Sequence, residues 1–483
     1  MKKAILCGKL FTAANDKVQK NMVIFIEDGK ITDVKTAKKA DTTDCEVIDL
    51  SDKFVMPGLI DGHMHSIYSG EPAVVSKTAA ENTINGMLNL EKDLMAGFTT
   101  IRDEGSFDFE DVALKKAIDA GMIKGPRMIT SGKPITATGG HADSRYPLAI
   151  DAGDYGAFVI SGADQARDAA RKVFKYGADQ IKLMGTGGVM SMGDEPGAPE
   201  LTFDELKAAA DIANDRGRNS SIHCHGAKGM KNAMKAGVRT IEHGMLMDDE
   251  AIDMMAETGT YLIPTIVAAK AIVDNGVAAG IHPENVAKAA FCVANHYTNL
   301  MKCYKKGVKI CWGTDAGTPF NFHGTQTVEF KYMADAGLPV GYILQAVTRV
   351  NAEMLMMEDK IGTVEAGKFA DIVAVDEDPF KDIETMRRVS FVMKGRRSLQ
   401  EVTEKHPAYQ QGVFLYYCLP CASLARILVE KYSMMMTRTI SAHRKEPTMA
   451  HLLELIAISI EAPIPPAPTI PRVVASFRLM SNR

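Results

Sequence analysis

The chain has 483 residues, of which 46% are hydrophobic, 24% charged and 7% aromatic, with a formal net charge of −4 at pH 7. That balance excludes a disordered, collagenous or disulfide-stapled chain and leaves room for about three domains of roughly 150 residues, or fewer if one is a large α/β barrel. The charge is uneven: residues 398–483 carry nine Lys/Arg against six Asp/Glu, with eight of the 20 prolines, one of the 40 glycines and no Asp, which leaves 47 against 54 before them.

Residues 1–9 open like a secretory leader, but Lys9 cuts the apolar run short and a strand is expected instead. Residues 3–56 read as short strands and turns. The β-branched and aromatic run 23–31 is broken by Asp28-Gly29, a hairpin signal. Runs 47–50 and 54–56 continue this texture. From Pro57 the pattern becomes strand followed by helix. Candidate strands are 58–63, 98–102, 127–130, 180–184, 220–223, 240–242, 261–265 and 309–313, and helical periodicity is clear at 206–214 and 286–302. Eight strands, each followed by a helix, predict an α/β fold, a (β/α)8 TIM barrel over residues 58–357. Residues 339–356 look helical; 361–368, 370–375 and 390–394 return to strand and turn. Neither flank can bury a core alone, so 1–57 and 358–397 are expected to form one small composite β-sandwich.

No window reaches 18 uninterrupted apolar residues, so no membrane span is expected. Eight cysteines are too sparse for a disulfide framework, and the cytoplasm is the expected compartment. Cys418 and Cys421 have redox or zinc spacing, yet they lack a second pair or a βαβ setting and read as incidental thiols. A mildly acidic body with no basic stripe argues against nucleic acid as a partner.

The placement of histidines carries the chemistry. His63 and His65 flank Met64 at the end of the first barrel strand, and residues at i and i+2 of a strand face the same side. His223 ends the fifth strand, His243 the sixth and Asp315 the eighth. A single histidine at a strand end is commonly a hydrogen-bonded structural residue. Four strand ends agreeing, on the rim where barrel enzymes gather their catalytic groups, describe a site for divalent metal, with zinc the first choice. Lys182 sits in the fourth strand, between these ligands. A lysine in an apolar strand either snorkels to the surface or has a role. In the second case it is a desolvated amine that has taken up carbon dioxide, giving a carbamate able to bridge two metal ions.

Together these residues resemble the amidohydrolase superfamily. The matching segments are residues 55–65, Lys182, His223, His243 and 313–317, with 361–368 and 370–373 similar to the return into the β-sandwich of those enzymes. The likeness covers about residues 1–397. Residues 125–127, 138–141, 177–182 and 223–226 look most like the metal-dependent dipeptidase branch, which includes Xaa-Pro dipeptidases (prolidases) and carboxypeptidases acting on dipeptides and N-acyl amino acids. The resemblance implies two divalent ions, His63 and His65 at the more buried one, His223 and His243 at the more exposed one, carboxylated Lys182 bridging, and Asp315 binding metal and handling protons. It also implies that His141, at the end of strand three, contacts the substrate carbonyl. A small amide or dipeptide substrate and a homo-oligomer are expected.

For a substrate carboxylate, His225, Arg145 and the loop 318–324 with His323 are candidates, each also plausible as an ordinary loop residue. Asp103 reads as an orienting or salt-bridging residue. Two rivals remain open. One is a deaminase or cyclic-amide hydrolase on the same scaffold, against which stands the lack of a carboxylate just after His223. The other is an inactive barrel, against which stands the complete ligand set. The tail 398–483 has few turn signals, a possible short amphipathic helix at 451–460 and a Pro-rich end. It reads as a poorly ordered or non-native extension, with an added interaction segment as the alternative.

Overall fold

The computed structural model describes residues 2–71, 77–143 and 156–395, with the backbone of 397–399. Arg145, the cysteines at 418 and 421, and the tail from residue 400 lie outside the described residues.

The chain opens with strands β1 (Lys2–Phe11), β2 (Val18–Glu27), β3 (Lys30–Thr36) and β4 (Glu46–Pro57). The β2–β3 hairpin turns at Asp28 and Gly29, both with positive φ (52° and 80°), the backbone that a two-residue turn of matching twist requires. The apolar runs 47–50 and 54–56, which look separate in the sequence, are parts of the single strand β4. A register shift opposite Gly8 absorbs the irregularity between them: a Cβ there would lie 2.0 Å from the Ser51 carbonyl oxygen.

Next come β5 (Leu59–Met64), β6 (Phe98–Asp103), β7 (Arg127–Thr130), β8 (Ile135–Ala137), β9 (Phe158–Ile160), β10 (Ile181–Met184), β11 (Ser220–Gly226), β12 (Thr240–Leu246), β13 (Tyr261–Ile263) and β14 (Lys309–Ile310). They form two parallel sheets, β5-β6-β7 and β14-β13-β12-β11-β10-β8-β9. Backbone hydrogen bonds join these sheets at both edges. The amides of Asp179 and Gln180 donate to the Thr130 carbonyl at 2.8 and 3.2 Å, linking β7 to β10. Beyond β14, Gly62 N–H donates to the Trp312 carbonyl (3.0 Å) and His65 N–H to that of Ala316 (2.9 Å). All eight strands expected from the sequence are present. β8 and β9 are additional to that expectation, because three-residue strands leave too few positions for alternation to show.

The helix expected at 286–302 is two, Pro283–Val293 and His296–Lys306. They bury different faces: Ala289 and Cys292 pack with Val189 and Met245, while Leu300 and Cys303 join the main core. One continuous period cannot serve both, so the chain breaks at Asn295 (φ −117°, ψ 6°). Residues 340–354 are helical throughout, and the Asn351 side chain donates to the Ile60 and Trp312 carbonyls (both 2.7 Å), holding the β5 seam.

Strands β15 (Ile372–Val375), β16 (Val389–Lys394) and β17 (Arg397–Leu399) return to the first sheet, giving the order β17-β16-β15-β4-β1-β2-β3. Both flanks therefore build one seven-stranded sheet over a core that includes Ile5, Leu10, Ile24, Val55, Ile372 and Phe391. No helix among the described residues is long and apolar enough to cross a membrane. Their six cysteines are all free thiols.

Candidate metal centre

The C-terminal ends of the parallel strands converge on a cavity of about 660 Å³ lined by His63, His65, His141, Lys182, His223, His225, His243 and Asp315. His63 and His65 meet Asp315 as the i, i+2 spacing requires: their Nε2 atoms lie 3.4 and 3.3 Å from its Oδ1. That oxygen is buried and makes no hydrogen bond of good geometry, which suits a donor set awaiting a cation rather than a closed ion pair. Asp315 holds φ at 59°, and His243, which precedes Gly244, holds 71°. Two non-glycine residues in the left-handed region at one rim mark backbone strain kept by its surroundings.

Each imidazole is aimed through its other nitrogen. His63 Nδ1 meets Glu242 Oε2 at 2.7 Å, His65 Nδ1 donates to the Gly105 carbonyl at 3.1 Å, and His243 Nδ1 lies 2.6 Å from Thr265 Oγ1. Partners of this kind orient metal-binding histidines. Ring centroids of His63 and His243 are 5.0 Å apart, and those of His223 and His243 are 4.7 Å apart. Burial, then the neighbouring imidazoles, hold His223 and His243 well below the usual imidazole range, in the neutral form a metal needs. For His63, burial and Lys182 press downward, but Asp315 and Glu242 outweigh them and hold it at about 8. Burial would raise Asp315; His63 and His65 overcome this and hold it well below the carboxylate range.

Beneath this rim lies a network of buried ionic groups that the sequence alone does not reveal. Arg102, fully buried, donates from Nε to the Gly62 carbonyl (2.5 Å), from NH1 to Thr240 (3.1 Å) and from NH2 to Glu242 (2.9 Å), and its Nε lies 2.9 Å from Glu104 Oε1. Glu104 also accepts from Gln180 (2.6 Å) and Ser221 (2.6 Å), and its Oε2 lies 3.0 Å from Lys182 Nζ. Burial would raise this carboxyl, yet Arg102, Lys182 and His63 hold it far below its usual range. The available signal was Arg102-Asp103-Glu104, three successive ionisable residues closing an apolar strand. Lys182 is 1% exposed and ends in this network, so it does not snorkel. Asp61 ties the seam by accepting from Thr314 Oγ1 (2.6 Å) and from the His63 amide (3.1 Å).

Other expected residues divide. Asp103 accepts from the Ser66 amide (3.0 Å) and hydroxyl (2.5 Å), and so positions the turn after His65. His225 lines the cavity, and its buried Nδ1 has no hydrogen-bond partner among the described residues. His141 stands not at the end of the third barrel strand but four residues beyond β8, stacked on His223 with centroids 4.2 Å apart. Burial first, then Lys182 among its neighbours, lowers its imidazole to about 4. His323 does not join the others. Its Nδ1 meets Asp93 at 2.8 Å and its Nε2 the Tyr68 carbonyl at 3.0 Å, so both nitrogens are spent on anchoring the loop. Of that loop, Thr318 and Pro319 reach the cavity. An apolar cluster also lines the cavity, with Val189, Met190, Met245, Ala269 and Ile272.

A family model described as the amidohydrolase family matches residues 54–402. The chain belongs to the amidohydrolase family. Among solved structures, this amidohydrolase is similar to a Xaa-Pro dipeptidase with methionine bound in its active site (36% identity, TM-score 0.77) and to a prolidase complexed with N-methylphosphonate-L-proline (30%, TM-score 0.78). Each alignment covers 83% of this amidohydrolase and all of the other chain. An ochratoxinase from Aspergillus niger is 29% identical over 366 residues, 71% of this chain and 74% of that enzyme. The amidohydrolase thus has the TIM-barrel α/β fold of its dipeptidase-like relatives and is a hydrolase of amide C–N bonds.

Proposed function

We propose that this amidohydrolase cleaves the amide of a dipeptide or N-acyl amino acid at a binuclear metal centre. His63 and His65 would hold one divalent ion, His223 and His243 the other, with Lys182 as a carbamate between them and Asp315 beside the first; zinc suits this nitrogen-rich set. Such a pair of ions supplies a hydroxide at neutral pH and polarises a carbonyl oxygen. The observation that carries the reading is the buried Asp315 Oδ1 between two imidazole Nε2 atoms, with Lys182 desolvated and lining the same cavity.

Asp315, which faces both histidines of the first pair, takes a proton from the nucleophile and returns it to the leaving amine. The apolar wall excludes water and accepts an uncharged side chain, while His225, with a free buried nitrogen, faces the substrate carboxylate. Cys224, His225 and Gly226 provide no carboxylate after His223, which favours amide cleavage over deamination. The hydrogen bonds at both sheet edges support a closed eight-stranded barrel over 58–357, with the flanks 1–57 and 358–397 as its companion β domain.

The test is metal content by mass spectrometry, followed by a dipeptide and N-acyl amino acid library assayed on zinc-replete protein with bicarbonate. Two ions per chain and chelator-sensitive amide cleavage are expected. A metal-replete protein inert toward every amide would overturn the reading.

A further inference from the structure

The loop after β10 carries an arrangement that the metal centre does not account for. His141 Nδ1 lies 2.7 Å from Ser191 Oγ. The same hydroxyl oxygen lies 2.5 Å from Asp194 Oδ2, which also accepts from the Gly188 amide at 2.9 Å. Asp194 Oδ1 in turn receives Lys288 Nζ at 2.8 Å, and this lysine also donates to the Ser191 carbonyl at 3.0 Å. Lys288 and Asp194 are 9% and 8% exposed, so the pair is shielded from water.

Hydrogen bookkeeping fixes the protons. A carboxylate accepts and never donates. Burial would raise the Asp194 carboxyl, but Lys288, Ser191 and the Gly188 amide hold it below the ordinary range, and so it is ionised. The single Ser191 hydroxyl proton must therefore point to Asp194, since the alternative sets two lone pairs against each other at 2.5 Å. Ser191 Oγ is then left as an acceptor toward His141, and only a protonated Nδ1 can occupy that 2.7 Å contact. A neutral imidazole carries one N–H, so Nε2 is left with a lone pair. Among the described residues Nε2 makes no hydrogen bond, and His141 lines the cavity.

We infer that the Asp194–Ser191 pair locks His141 as its Nδ1–H tautomer, so that this residue presents an acceptor, not a donor, to whatever occupies the cavity. Ser191 and Asp194 are positioning residues. The consequence rests on the proposed amidase reading only in taking the cavity as the substrate site. His141 then receives a substrate N–H, such as a dipeptide's free amine, and does not donate to the scissile carbonyl.

Asp194→Leu in a Lys288→Met background tests this, the second change avoiding a buried lysine without its partner. Without the carboxylate the Ser191 hydroxyl proton is free to turn toward His141 Nδ1, and the imidazole proton can move to Nε2. The readout is long-range 1H–15N correlation on zinc-loaded, 15N-histidine-labelled protein, with His141 assigned by its loss in His141→Asn. The expected result is Nδ1–H in the wild type and an Nε2–H population in the double variant. Lys288→Met, which removes the strap but leaves Ser191 and Asp194, should retain Nδ1–H. It thereby separates loop loosening from proton control. Where dipeptides are cleaved, the double variant should lose about 10–100-fold in kcat/KM relative to Lys288→Met, the usual scale for residues that orient a working histidine. An Nε2–H in the wild type, or an unchanged tautomer in the double variant, overturns the inference. Absence of amidase activity with the tautomers as stated overturns the proposed function alone.

Discussion

Glu242→Gln is the most searching test of the ionic network beneath the rim. Glu242 neutralises Arg102, which has no access to water, and aims His63 through a 2.7 Å contact. Removing one partner of a buried ion pair costs about 3–5 kcal/mol, and glutamine keeps the shape and part of the hydrogen bonding, so the lower figure of about 3 kcal/mol applies. Unfolding entropy is about 2.1 cal/mol/K per residue, which over the compact unit Met1–His406 gives roughly 0.8 kcal/mol per degree. The expected fall in Tm is therefore about 4 °C by calorimetry. In the same variant His63 loses the anionic partner at its Nδ1, and zinc affinity should fall by about 10–100-fold in a competition titration. An unchanged Tm together with undiminished zinc affinity would refute the reasoning, because the two effects flow from one carboxylate.

Three further outcomes follow from named contacts. Asp315→Asn should keep a bound metal yet lose about 10²–10⁴ in kcat, since an amide oxygen can ligate but cannot move a proton; steady-state kinetics beside metal analysis would separate the two. Lys182→Met removes the amine needed for a carbamate while leaving Glu104 its bonds from Arg102, Gln180 and Ser221; mass spectrometry should find at most one ion per chain, with a smaller Tm change than in Glu242→Gln. Gly188→Ala would set a Cβ 2.1 Å from the His141 ring. The ring must turn, so kcat/KM should drop about 10–100-fold while Tm holds within about 2 °C.

The parallel strands were legible because each is a short apolar run bounded by turn residues, and the histidine-lined rim because histidines at strand ends repeat. Less legible were features whose meaning depends on distant partners. Glu104 and Glu242 look like ordinary acidic residues until Arg102 and Lys182 are brought to them from other strands. His323 looked like a site residue because a histidine in a loop near Asp315 has the right composition, but only the fold shows Asp93, 230 positions away, engaging it. His141 was found by likeness while its support was not, since Ser191 and Asp194 sit in a glycine-rich loop with no periodic signal.

The sheet that unites the two flanks also sets a schedule for making the protein. β4 pairs with β15 from Pro57 opposite Ile372 to Phe54 opposite Val375. A ribosome adding about 5–20 residues per second releases the first strands some 15–60 seconds before their partner exists. During that interval β4 offers an open hydrogen-bonding edge bearing Phe54, Val55 and Met56, the kind of edge along which chains pair with one another. Newly made chains of this enzyme should therefore depend on holding chaperones for as long as synthesis of the barrel lasts, and fast, crowded expression should yield aggregates joined through that edge.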